Sequence, residues 1–405
     1  MIQNGGRVVN LSGNFGKNIS RNSMETCTEC SCCKRKKYTK RILVTGGAGF
    51  IGSHVVILLV ERYPDYYVVN LDKLDYCASL KNLKKIQDKP NYKFIDADIC
   101  EANYLKYIFQ SEKIDTVLHF AAQSHVDNSF WSSLDFTKTN VYGTHVLINV
   151  AHEAKVKRFI HVSTDEVYGG GNDGSNTRHN EMSPFRPSNP YAASKAAAEC
   201  IVMSYLESFK FPVIVTRSNN IYGPHQYPEK VIPKFIALLL RNQKCFIHGD
   251  GLQARNFLYV TDVAEAFIKI LHKGQDGETY NIGSDFEINI LELARTLINR
   301  IKGEKTEDGI LSHLEFVKDR PFNDRRYPMD SSKVKALGWE PKVPWEDGLK
   351  STLEWYANHF HNWPSADRAL TPFPIGSNTV YCSDDDDSVP SKPLHTPKQL
   401  PKLDW

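Results

Sequence analysis

Ile42-Leu43-Val44-Thr45-Gly46-Gly47-Ala48-Gly49-Phe50-Ile51-Gly52 runs from apolar, partly β-branched residues straight into a Gly46-x-x-Gly49-x-x-Gly52 pattern. The first part predicts a buried strand, and the glycines predict a tight turn opening a helix over Gly52–Arg62, which Pro64 ends. Glycines at this spacing, together with Phe50 and Ile51 between them, let backbone approach a pyrophosphate. The helix N-terminus adds free N–H groups and the positive end of its dipole. About twenty residues on, a second strand-like run, Val68–Leu71, ends at Asp72, where a carboxylate can hold both ribose hydroxyls and repel a 2′-phosphate. Strand, glycine turn, helix, strand and acid in this register predict a dinucleotide site that prefers NAD to NADP.

Outward from that unit, apolar runs at Arg41–Thr45, Val68–Leu71, Lys93–Ile95, Thr116–Phe120, Arg158–Ser163 and Val213–Arg217 alternate with helix-like segments, among them Val141–Ala154 and Tyr191–Phe209. The alternation predicts βαβ units and a parallel sheet: an α/β chain with a Rossmann-type doubly wound parallel sheet over 40–218. Beyond about Asn219, Pro224, Pro228 and Pro233 punctuate a loop-rich stretch, followed by helix-like Lys234–Arg241, Thr261–Leu271 and Trp345–Phe360. This half (219–363) reads as a smaller C-terminal substrate-binding lobe over the carboxyl edge of the sheet, with some segments returning to it. Residues 1–39 read as a flexible leader and 364–405, with its prolines and Asp384–Asp387, as a flexible tail.

A net charge of +3 over 405 residues shows no concentrated basic face and argues against nucleic acid. No run approaches the roughly 18 apolar residues of a membrane span, and Cys77, Cys100, Cys200, Cys245 and Cys382 lack paired spacing. A reducing, cytoplasmic setting without membrane contact is expected. Cys27, Cys30, Cys32 and Cys33 crowd into one short run before Lys34–Lys37 instead of forming two separated knuckles, so free thiols are expected and metal is not. His119, His125 and His145 share no ligand spacing either.

Chemistry enters with Thr164-Asp165-Glu166 at the end of a strand and with Tyr191 and Lys195 one helical turn apart. Hydroxyl, phenol and ammonium suit removal of a proton from an alcohol while hydride leaves, the ammonium lowering the phenol pKa. A bare alcohol dehydrogenase needs nothing more. Two adjacent carboxyls add what a dehydration requires, a base for a C–H beside a ketone and an acid for the departing hydroxyl. The acid must hold its proton about three pH units above the usual Asp range. Asp98-Ile99 after the third strand faces the adenine position, and Ala121, Ala122 and Ser124 after the fourth allow close passage of the cofactor.

Together, TGGAGFIG (45–52), LDKLDY (71–76), HFAAQSHVD (119–127), STDEVYG (163–169), YAASK (191–195), YGPHQYPEKVIP (222–233) and YNIG (280–283) resemble the nucleotide-sugar 4,6-dehydratases of the extended short-chain dehydrogenase/reductases. The resemblance implies an NAD-dependent homodimer. In it Tyr191, with Lys195 and Thr164, oxidises C4 of a dTDP- or UDP-bound glucose, Glu166 takes the C5 proton and Asp165 protonates the C6 hydroxyl. It also implies substrate contacts from Ser124, Asn220, Glu229, Lys230, Arg255, Asn281, Arg320 and Asn323. Bacterial relatives typically place His where Asn323 stands, which leaves the base preference open. An epimerase or decarboxylase of the same family, or a silent NAD-binding scaffold, are the alternatives. Asp165 argues against the former and the intact set of five against the latter.

Overall fold

The computed structural model of the chain describes residues 38–170 and 178–371. The cysteine cluster, the basic run beside it and Asp384–Asp387 lie outside the described residues. The strands, in chain order, are Lys40–Thr45 (β1), Tyr66–Asp72 (β2), Tyr92–Asp96 (β3), Thr116–His119 (β4), Arg158–Thr164 (β5), Val213–Ser218 (β6), Asn220–Tyr222 (β7), Cys245–His248 (β8), Ala254–Tyr259 (β9), Thr279–Ile282 (β10), Glu287–Asn289 (β11) and Leu314–Val317 (β12).

Seven of them form one sheet in the order β10-β6-β5-β4-β1-β2-β3, every pairing parallel. Winding runs outward in both directions from β1 and β4, so the crevice at their carboxyl ends is the switch point where such sheets take ligands. Both faces are covered. Ile42 and Val44 of β1 pack against Leu59 and Phe267 on one side, while Leu43 packs toward Leu147 and Phe159 on the other. That period-two split explains why the strand reads as an unbroken apolar run. A separate core built on Phe235, Leu297, Leu353 and Trp363 fills the lobe. There β9 pairs with β7 and β11, and β8 with β12.

Several boundaries differ from the sequence reading. The first helix starts at Phe50, because Gly49 already serves as its N-cap. The helix expected from Lys234 begins at Val231 and contains Pro233 in its first turn, where a missing N–H costs no hydrogen bond. The helix expected over Val141–Ala154 is the α-helix Thr144–Glu153, led by a π-helical turn that begins earlier, Thr137–Gly143. Strand β10 lies in the large sheet although it follows the lobe's first elements. The expected tail boundary at 364 also needs correction: Ala366–Leu370 forms a 3₁₀ turn whose Ala366 and Leu370 are buried in the lobe core.

Candidate active site

A cleft of about 420 Å³ opens at the switch point and is roofed by the lobe. Its cofactor side is built by the glycine turn. Gly46 has φ +71°, and a Cβ there would fall 2.6 Å from Ala121 N; a Cβ on Gly52 would fall 2.3 Å from Gly46 O. Neither clash involves a side chain that could move aside. Gly49 brings no capping side chain to the Phe50–Arg62 helix, so its first N–H groups face the cleft without one. Asp72 fastens the turn by accepting Ala48 N on Oδ2 and Leu74 N on Oδ1, each at 2.9 Å. Each oxygen keeps a second acceptor site, as two ribose hydroxyls require. Asp98, Ile99, Ala121, Ala122 and Ser124 line the same cleft. Glycine cradle, uncapped helix end and acid form a donor and acceptor set that fits NAD.

Thr164, Asp165, Glu166, Tyr191 and Lys195 converge at the middle of the cleft. The two carboxyls leave β5 in a 3₁₀ turn that Thr164 caps, its Oγ1 accepting Glu166 N at 3.3 Å and donating to Asp165 Oδ1 at 3.2 Å. Asn219 Nδ2 donates to Asp165 Oδ2 at 2.8 Å, and Asn189 Nδ2 donates to Glu166 Oε2 at 2.9 Å. Asn189 cannot flip, because its Oδ1 caps the Pro190–Phe209 helix by accepting Ala192 N at 2.8 Å. One amide therefore aims the helix that carries Tyr191 and Lys195 and also holds Glu166.

Burial pushes the Asp165 carboxyl up to about 7; the hydrogen bond from Asn219 opposes this, and the neighbouring Glu166 charge reinforces it. Glu166 is also raised by burial, but Asn189, Lys230 and Arg255 favour its ionised form. Lys195 is lowered to about 8, chiefly by burial. The expectation that its ammonium lowers the Tyr191 phenol needs correction. Burial and the Glu166 charge raise that phenol, and the hydrogen bond with Thr164 is what opposes them. Lys195 Nζ instead donates to Val162 O.

On the substrate side, Asn220, Glu229, Lys230, Arg255, Arg320 and Asn323 all line the cleft. Tyr76 OH donates to Glu229 at 2.9 Å, and Lys230 Nζ donates to Ser124 O at 2.6 Å. Arg255 donates to Asn323 Oδ1 at 3.2 Å, and Arg320 Nε lies 2.7 Å from Asp127 Oδ1. Asn281 does not reach the cleft. It is 0% exposed on β10, donating to His179 O and Asp330 O and accepting Tyr168 OH at 2.7 Å. Tyr168 in turn accepts Arg217, which forms a buried pair with Glu199 at 2.7 Å, so this network braces the Asp165–Tyr168 turn from behind.

Sequence reasoning missed Asn189, Asn219 and Asp324. Asn189 before Pro190 carried a legible N-cap signal. Asp324 accepts Gly170 N at 3.0 Å, and also Ser188 Oγ and Tyr327 OH, tying the loops after Glu166 and before Asn189 to the lobe. Nothing in a single sequence marks that convergence. Among the described residues, no three His, Cys, Asp or Glu side chains are grouped to hold a metal ion.

A parallel nucleotide-binding sheet with two carboxyls beside a Tyr/Lys pair defines an extended short-chain dehydrogenase/reductase equipped for dehydration. Residues 43–352 match the family model described as GDP-mannose 4,6 dehydratase, and the chain belongs to that family. It is 62% identical to dTDP-D-glucose 4,6-dehydratase of Mus musculus over 84% of this chain and 94% of that one. It is 49% identical to the trifunctional UDP-glucose 4,6-dehydratase/3,5-epimerase/4-keto-rhamnose reductase of Arabidopsis thaliana, over 83% of this chain and 50% of that one. Among solved structures, the dTDP-glucose 4,6-dehydratase of Streptomyces venezuelae, with NAD and dTDP ligands, matches with TM-score 0.76 at 38% identity, over 80% of this chain and 99% of that one.

Proposed function

We propose that the protein is an NAD-dependent lyase that converts dTDP-glucose or UDP-glucose to the 4-keto-6-deoxy sugar nucleotide. The observation that carries the reading is the adjacent pair of buried Asp165 and half-buried Glu166, each held by an asparagine amide beside Tyr191 and Lys195 in the cleft; burial pushes Asp165 up to about 7, and Lys230 and Arg255 favour ionised Glu166. Tyr191 acts in its phenolate form, which the hydrogen bond with Thr164 favours, and takes the proton of the C4 hydroxyl. With Tyr191 and Lys195 at its nicotinamide end, bound NAD would supply the acceptor for the C4 hydride and the source of the hydride needed at C6. The new C4 ketone acidifies C5–H, Glu166 removes that proton, and Asp165 gives its proton to the C6 hydroxyl as water leaves. Protonation at C5 then completes the product. Gly46, Gly49, Phe50, Ile51, Gly52, Asp72, Asp98, Ile99, Ala121, Ala122 and Ser124 are assigned to the cofactor, with Tyr191 and Lys195 at its nicotinamide end. Asn220, Glu229, Lys230, Arg255, Arg320 and Asn323 are assigned to the nucleotide sugar.

Turnover in deuterium oxide tests this. The reading expects product lighter by one water and carrying one solvent deuterium at C5, with that label lost together with turnover in Glu166→Gln. An isomer of unchanged mass indicates an epimerase, whose chemistry has no use for Asp165.

We also propose a homodimer in the cytoplasm. Trp131, Leu134 and Tyr142, 64%, 81% and 54% exposed, sit on helices that pack against Pro190–Phe209, a concentration of apolar surface suited to a second copy. No described helix is long and apolar enough to cross a membrane, and the four cysteines among the described residues are free.

A further inference from the structure

Residues 360–371, beyond the segment matched by the family model, run between the two sides of the cleft. On the cofactor side, Asn362 Nδ2 donates to Asn82 Oδ1 at 2.8 Å, Ser79 Oγ donates to Asn362 O at 2.9 Å, and Trp363 Nε1 donates to Cys77 O at 3.0 Å. Two of these partners, Ser79 and Asn82, act on the glycine turn itself. Ser79 N and Asn82 Nδ2 both donate to Ala48 O, at 3.0 and 3.1 Å, and Ala48 N donates to Asp72 at 2.9 Å. The Asn82 amide is oriented from both ends, its oxygen toward Asn362 and its nitrogen toward Ala48. On the substrate side, Tyr227 OH donates to Ser365 O at 2.9 Å, and its ring meets Trp363 edge-on with centroids 5.5 Å apart. Tyr227 lines the cleft two residues before Glu229. Trp363, 1% exposed, is thus the pin between the two sides.

We infer that Asn362 and Trp363 are positioning residues whose strap holds the Gly46–Gly52 turn and the 226–230 loop in register and so retains NAD through turnover. The inference rests on the dehydratase reading, in which hydride leaves and returns within one cycle and cofactor release serves no step. Mere packing of this segment would not require two side-chain amides in series to reach the carbonyl between the glycines. The strap acts on the cofactor turn through Ser79 and Asn82, and through Cys77 on the wall of the cleft beside it, never through the reacting atoms.

The test uses the full chain purified without added nucleotide. NAD per protomer is measured after denaturation, and exchange is timed against isotope-labelled NAD, for wild type, Trp363→Phe and Asn362→Leu. Each variant removes one hydrogen bond, so exchange is expected to quicken about fivefold or more. Bound NAD falls accordingly, and excess NAD restores turnover to near the wild-type value. Folded variants that exchange NAD at the wild-type rate overturn the inference, as does a loss of turnover that excess NAD leaves uncorrected. Should Trp363→Phe fail to fold, Asn362→Leu, which keeps the buried ring, decides alone. A wild-type chain that neither carries nor takes up NAD overturns the cofactor reading beneath, a result visible before any variant is compared.

Discussion

Asp165 and Glu166 are neighbours in the chain, Asp165 buried and Glu166 half-buried, and both hold their protons more tightly than free carboxyls. Both are raised by burial; what separates them is the company each keeps. Asp165→Asn is expected to lower dehydration about 10²–10⁴-fold, read as product formed per enzyme, while NAD binding stays at the wild-type level. Asparagine keeps both contacts, accepting from Asn219 and donating to Thr164. In the wild type, turnover should fall above pH 7, where Asp165 gives up the proton it must donate. The same shift has a stability consequence. A folded carboxyl raised to about 7 stabilises the fold fully only below the ordinary Asp range, and that contribution is lost as pH rises from about 4 to about 7. Its full size is about 4 kcal/mol at 1.36 kcal/mol per unit. Asp165→Asn should therefore melt a few degrees above wild type at pH 8, with the gap closing toward pH 4. Equal melting curves at pH 8 contradict the buried-acid assignment.

At the scale of elements, the glycine turn and the paired helix and strand behind the site make separate predictions. Gly52→Ala places a methyl 2.3 Å from Gly46 O, so the first helix must move away from the turn. Titration with NAD should show affinity reduced at least tenfold, in keeping with a displacement of backbone, which cannot rotate away. Glu199→Gln strands the Arg217 guanidinium in a buried site, and thermal or urea unfolding should report a loss of about 3–5 kcal/mol. The main-sheet strands were legible because apolar runs bounded by turn residues have few other solutions. Helix starts were less so, since Pro233 signals a break in isolation and is tolerated in a first turn. Of the candidate site residues, those on strand ends and on the helix after Asn189 were legible through spacing. Asn281 was misread because YNIG resembles a ligand motif, whereas β10 turns that amide to the Tyr168–Arg217 network. Asn220 lines the cleft, while its neighbour Asn219, between β6 and β7, donates to Asp165, a contact that no spacing signalled. Contacts such as those of Asp324 join residues far apart in the chain, and no local pattern encodes them.

For the whole molecule, the parallel sheet fixes one wall of the cleft and the lobe supplies the other, so a reaction needing both cofactor and nucleotide sugar takes place where they meet. The exposed Trp131, Leu134 and Tyr142 add an expectation about assembly. Light scattering after gel filtration should give twice the 46.1 kDa chain mass, and Leu134→Asp should halve it. A wild-type monomer at micromolar concentration contradicts the dimer. The central claim is a dehydration that recycles its own NAD, and mass spectrometry of the sugar products tests it most directly. Purified protein is given dTDP-glucose and UDP-glucose separately, with no nucleotide cofactor added. The account predicts product lighter by one water from at least one of them, over many turnovers. Unchanged mass with both, persisting after NAD is supplied, contradicts it.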